Sequence, residues 1–164
     1  VAQDYQKVVD RAAAWLNAEA QKPTGLNAAT LDRLRLLAAE AQLALGKPRL
    51  ALGLLDARSP AAATKPDALL LGSRIATALA AADPVVEVDI ASAVAIFKRT
   101  LAATSPEDPL FRVRLLDWMR TSIRHKPASR AETLAEGNKH AALFAAPDCP
   151  EALRTAFEQL RSSN

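Results

Sequence analysis

The stretch Leu37-Ala38-Ala39-Glu40-Ala41-Gln42-Leu43-Ala44-Leu45-Gly46-Lys47-Pro48-Arg49-Leu50-Ala51-Leu52 decides the fold class. Leu, Ala, Glu and Gln are strong helix formers, so the residues up to Leu45 read as the last turns of a helix. Gly46 suits the left-handed backbone that closes a helix, and Pro48 is tolerated in the first turn of the next one. Two helices joined by so short a turn run antiparallel. Ala39 and Ala51, twelve residues apart across the turn, let the two backbones approach without displacing a side chain.

Working outward, the same punctuation recurs. A first helix spans about Ala2 to Gln21, with Tyr5, Val8, Val9, Ala12, Trp15 and Leu16 at three- and four-residue spacing, and stops before Pro23-Thr24-Gly25. Asn27 caps the helix that ends at Gly46, and a short third helix runs from Pro48 to about Arg58. Ser59 to Lys65 reads as a small-residue loop, and Pro66-Asp67 opens a helix to Ala82, closed by Asp83-Pro84. A fifth helix reaches about Thr104, and Ser105-Pro106-Glu107-Asp108 reads as a cap, with the Ser105 hydroxyl as acceptor, for a helix to His125. Lys126-Pro127 breaks that helix, a seventh spans roughly Ala128 to Ala146, and Pro147-Asp148-Cys149-Pro150 leads into a last one ending near Arg161.

The composition agrees with an all-α fold. The 164 residues are 50% hydrophobic, alanine and leucine supply more than a third, and aromatics are only 4%. Five glycines and one cysteine exclude collagen and disulfide scaffolds, and the apolar fraction excludes a disordered tail. Lys plus Arg number 21 against 18 acids, a net charge of +3 that makes nucleic acid an improbable partner on bulk charge. Apolar stretches are interrupted before the roughly 18 to 20 residues a membrane span needs, so a soluble chain is expected. Val1 in place of an initiator methionine reads as processing or excision from a longer chain, with no secretory signal in view. The lone Cys149 fits a reducing compartment and also a periplasmic one, so localisation stays open.

A chain of tightly turned helices is either a closed bundle or a stack of hairpins, and the small-residue spacing favours the stack. The Ala39, Gly46, Ala51 pattern resembles the tetratricopeptide repeat, whose two helices touch through small residues at those places. A second unit pairs Leu71, Gly72 and Ile75 with Ala93 and Phe97, with Asp83 to Asp89 as an inserted turn of about nine extra residues. A third sets Leu115, Trp118 and Met119 against Ala131, twelve after Met119, although Met119 stands where a small residue is usual. Arg35, where the family favours a large apolar residue, and the unequal repeat lengths depart from the pattern. The resemblance implies one domain over residues 1–164. It comprises a flanking helix at 1–26, three hairpins stacked as a short right-handed superhelix over 27–146, and a capping helix at 147–164.

Such stacks bind peptides or helices along a concave face made by the first helix of each hairpin. The resemblance carries that face onto Arg33, Leu36, Glu40 and Leu43 in the first unit and Leu69, Ser73 and Ala76 in the second. In the third it falls on Val113, Leu116, Arg120 and Ile123. The paired Lys and Asn of carboxylate-clamp members are missing at these places, so an apolar groove for a partner protein is expected, in a non-enzymatic scaffold. The alternative is an accessory helical domain of a larger enzyme such as a glycosyltransferase. A third reading rests on the basic stretch Arg112, Arg114, Arg120, Arg124, Lys126 and Arg130, with Asp117 its one acid, which could meet a phosphate or nucleic acid but lacks aromatics for base stacking.

No catalytic, metal or cofactor pattern emerges. His125 and His140 have no partner at metal spacing, Glu132 and Glu136 form only half of a di-metal constellation, and Cys149 has no recognisable base. A helix C-terminus favours a cation at His125. Trp15 and Trp118 read as core anchors.

Overall fold

The computed structural model describes residues 2–23, 25–82 and 86–162. Among the described residues the chain is all-helical, with ten α-helices, one 3-10 turn and no strand. Its contacts gather into two compact units, residues 1–79 and 80–164, divided at the end of the fifth helix. That division falls inside the second expected hairpin. The Asp83-Pro84 stop and the start of its inserted turn, like Thr24 in the first break and Val1, lie outside the described residues.

In the first unit, α1 (Ala2–Gln21) packs along α2 (Ala28–Ala44), and α2 against α3 (Pro48–Asp56). Asn27 caps α2, its side chain accepting from the Thr30 amide at 2.8 Å. At the other end Gly46 takes φ +72°, the Gly46 amide donates to Leu43 and the Lys47 amide to Gln42, both at 2.9 Å. This paired closure needs a left-handed residue, which is why glycine stands there. Ala39 and Ala51 are both fully buried, as a close α2–α3 approach requires. The loop expected at Ser59 to Lys65 instead holds a single turn, α4 (Pro60–Ala63), capped by the Ser59 hydroxyl; four residues are too few to show a helical period. After it comes α5 (Pro66–Ala80), whose Asp67 carboxylate accepts from the Ala68 amide.

Only Ala12 of α1 is buried, and Trp15 is 57% exposed. The expectation that Trp15 anchors a core is therefore corrected. It shares its stripe with Tyr5 and Val8, also exposed, so the apolar period of α1 is real but mostly uncovered.

In the second unit α7 (Pro109–His125) is the centre, with α6 (Glu87–Ala102), α8 (Arg130–Asn138) and α10 (Glu151–Ser162) packed on it. Its cap is Asp108, which accepts from the Leu110 amide at 2.8 Å, and not Ser105 as the sequence suggested. Pro109 explains the difference, because it fits the first helical position and puts Asp108 in the capping one. The seventh helix expected over Ala128 to Ala146 is three pieces: a 3-10 turn at Pro127–Ser129, α8, and α9 (Ala141–Ala145). The break at Lys139 and His140 follows Gly137-Asn138, two poor helix formers, and lets Phe144 stack on Phe157 of α10 at 4.1 Å. Gly137 is also where α8 meets Met119, while Ala131 is exposed. The small residue facing Met119 is six positions later than the repeat spacing predicts.

Candidate binding cleft

A cleft of about 710 Å³ opens in the second unit. Its floor is one face of α7, where Phe111, Trp118 and Ser122 recur at helical spacing. One wall is α6, through Val94, Lys98 and Leu101; the other is α8, through Glu132 and Glu136, with His140 at its end. The volume lies within the range of ligand pockets, roughly 300 to 1,000 Å³, and the lining is mixed, with apolar Val94, Leu101 and Phe111 beside charged Lys98, Glu132 and Glu136.

Two atoms on the floor stand out chemically. The Trp118 Nε1 and Ser122 Oγ are buried and have no hydrogen-bond partner in the structure. The Lys98 ammonium lies 5.7 Å from the centre of the Trp118 ring, within cation–π range. At the far end His140 meets Phe111 edge-on, with ring centres 5.0 Å apart. Beneath the floor Arg114 is buried and donates to the Thr104 hydroxyl, which donates to the Thr100 carbonyl at 2.6 Å. Thr100 donates in turn to Ile96 at 2.8 Å, so this chain of bonds fixes the α6 end against α7.

The wall charges are set by their neighbours. Glu136 accepts from Lys139 at 2.6 Å, and that bond holds its carboxyl below the usual range against the opposing effect of burial, with the Lys139, His140 and Lys98 charges adding to it. Elsewhere on α7, burial pushes the Asp117 carboxyl up, opposed by the Arg120 charge. His125, where a cation was expected, has its pKa lowered, first by burial and then by the Arg124 charge.

Of the residues singled out in the sequence for binding, Lys126 lines this cleft. Leu36, Leu69 and Leu116 are 2%, 7% and 1% exposed. Those three are corrected from groove to interior, and Ala76 with them, because alanine-rich helices bring backbones close enough to enclose them. Arg33, Glu40, Val113 and Arg120 are exposed, and Leu43, Ser73 and Ile123 are half-buried. On α7 the face that lines the cleft is thus the one carrying the buried Phe111, Trp118 and Ser122, rotated from the face that carries Val113, Leu116, Arg120 and Ile123.

The basic stretch does not form one patch. Arg112 makes two hydrogen bonds to Asp148, at 2.9 and 3.2 Å, Arg114 is buried on Thr104, and Arg130 donates to the Leu160 carbonyl at 2.9 Å. Arg120, Arg124 and Lys126 remain exposed. The sequence counted Asp117 as the stretch's one acid, whereas Asp148, 36 residues beyond Arg112, is the acid that pairs with it. It is Arg112 that holds the Asp148 carboxyl below its usual range. Sequence reasoning took Trp118 as core and Glu132 with Glu136 as a stray acidic pair; their shared cleft depends on how α8 crosses α7.

Among the described residues no cluster of three or more His, Cys, Asp or Glu is placed to hold a metal ion, and no helix is long and apolar enough to cross a membrane. No protein-family model matches the sequence, and no curated protein or solved structure matches it.

Proposed function

We propose that this chain is a non-enzymatic protein-interaction module built from tetratricopeptide-like helical hairpins, and that its α6–α7–α8 cleft receives a segment of a partner protein. The observation that supports this most is the pair of buried, unpartnered groups on the cleft floor, Trp118 Nε1 and Ser122 Oγ. A buried donor left unmade costs on the order of 1 to 3 kcal/mol, which an acceptor on a partner recovers once a small side-chain shift on docking opens the donor to the cleft. Peptides carry such acceptors in every residue, together with apolar side chains to fill the space between Val94, Leu101 and Phe111. The recognition face on α7 in this reading is the Trp118 face.

Selection from a displayed peptide library on the intact chain tests the reading. Peptides enriched on the wild type should bind Val94→Arg and Leu101→Glu at least about tenfold more weakly, and Val113→Arg unchanged. Val94 and Leu101 are half-buried on the wall, so circular dichroism should show both variants folded. Enriched peptides that bind all four proteins alike, or no enrichment at all, would remove the cleft from consideration.

A further inference from the structure

A second pocket, in the first unit, is independent of the cleft. It has a volume of about 250 Å³ and gathers the start of α2 at Ala28 and Ala29, Arg58 just past α3, and Lys65 just before α5. Arg58 is only 8% exposed, and its Nε and Nη1 are buried without a hydrogen-bond partner. A buried guanidinium with unmade bonds is costly, because charged groups are the most expensive to strip of water. The α2 terminus adds to this. Asn27 accepts from the Thr30 amide, and the Ala28 and Ala29 amides, as the first two of the helix, have no intrahelical acceptor.

Two carboxylates also line the pocket, and both are engaged within the unit. Asp32 accepts from the amide and hydroxyl of Ser59, lies 3.5 Å from Arg35 Nη1, and feels the Arg58 charge without a hydrogen bond to it. Asp67 accepts from the Ala68 amide and stands 3.9 Å from Arg33. The open donors are therefore Arg58, Lys65 and the α2 amides, approaching from three separate elements. A tetrahedral group with oxygens in several directions answers such a set better than a planar carboxylate, and a helix N-terminus favours negative charge.

We propose that this pocket binds a phosphate group, with Arg58 as its central ligand and Lys65 and the Ala28 and Ala29 amides completing the shell. The test is amide and Arg side-chain NMR on the intact chain, titrated with inorganic phosphate and with acetate at matched ionic strength. Phosphate should shift the Ala28 and Ala29 amides and the Arg58 Nε–H saturably, and acetate at least about fivefold more weakly. Arg58→Gln should abolish saturation, and Lys65→Met should weaken it about threefold. Ala29→Asp guards against misfolding of the Arg58 variant: it is exposed, favours the helix start, and puts a carboxylate in the site, so it too should block phosphate. Phosphoserine peptide and adenosine monophosphate, titrated in parallel, identify by the tighter arm whether the phosphate belongs to a modified protein or to a nucleotide. No saturable shift, equal binding of acetate, or binding unchanged in both Arg58→Gln and Ala29→Asp would overturn the assignment and leave water as the partner of Arg58.

Discussion

The Asp32 carboxylate on α2 accepts both the backbone amide and the hydroxyl of Ser59, 27 residues further along the chain. One buried acid thereby ties the second turn of α2 to the residue that caps α4. Asp32→Asn replaces one acceptor oxygen by a donor facing other donors, so it should destabilise the first unit by about 1 to 3 kcal/mol in urea unfolding at neutral pH. The pH dependence follows from the same bond. The Ser59 hydroxyl is the largest cause lowering the Asp32 pKa, opposed by burial and helped by the Ser59 amide and by Arg58 and Arg35. A carboxyl depressed on folding stabilises fully above its unfolded pKa of about 3.9 and loses that contribution as pH falls through the folded value. The gap between wild type and Asp32→Asn should therefore be constant from pH 7 to 5 and narrow below about pH 4. A gap that persists unchanged at pH 2 would show that the charge is irrelevant.

Gly137 lies so close to Met119 that an added Cβ would sit 2.5 Å from the Met119 Cε and 2.6 Å from its Sδ. Gly137→Ala gains about 1 kcal/mol of helix propensity, and overpacking a filled core costs about 1 to 3 kcal/mol. Met119 is fully buried, which limits its freedom to swing aside, so the clash should win and the urea midpoint should fall. The double variant Gly137→Ala, Met119→Ala should be less damaged than the sum of the singles, because the new methyl enters space that the methionine leaves. Strict additivity would mean that the two residues do not share that space.

How far the sequence reached depends on whether a signal was local. The ends of α1 and α2, the Asn27 cap and the Gly46 closure were legible, because each is set by residues within one turn. From the sequence the capping acceptor of α7 falls at Ser105, whereas Asp108 holds that place because Pro109 takes the first helical position. Leu36 and Leu116 could not be told from groove residues, since a core stripe and a binding stripe share one helical period. The pairing of Arg112 with Asp148, and of Met119 with Gly137, depends on how distant helices cross, which spacing along the chain does not encode. For the same reason the cleft over Trp118 was invisible.

Arg154 on α10 donates to three carbonyls, those of Phe144, Ala146 and Cys149, at 3.1, 3.2 and 3.4 Å. It thus binds the end of α9 and the following turn to the helix that carries Phe157. Arg154→Met keeps most of the apolar stem and deletes all three bonds, so the second unit should lose about 1 to 3 kcal/mol. Limited proteolysis should then cut between Ala146 and Pro150 faster than in the wild type, while cleavage near Gly46 stays the same. Equal rates at both sites in the variant and the wild type would show that the Phe144–Phe157 stack alone holds the turn.

Ser122 offers a separation of binding from stability. Its hydroxyl is buried with no partner on a residue of the cleft floor, and it occupies the last turn of α7, where alanine is the better helix former. Removing an unmade polar group from an interior is neutral to favourable, so Ser122→Ala should raise stability by about 1 kcal/mol. If the hydroxyl exists to meet an acceptor on a partner, the same substitution should weaken the selected peptides severalfold, the trade expected when a site is retained for recognition rather than for folding. Urea unfolding and calorimetric titration on the one variant decide this. A less stable Ser122→Ala would show that the hydroxyl is already hydrogen-bonded in the folded chain, leaving Trp118 Nε1 as the unpartnered donor on the floor.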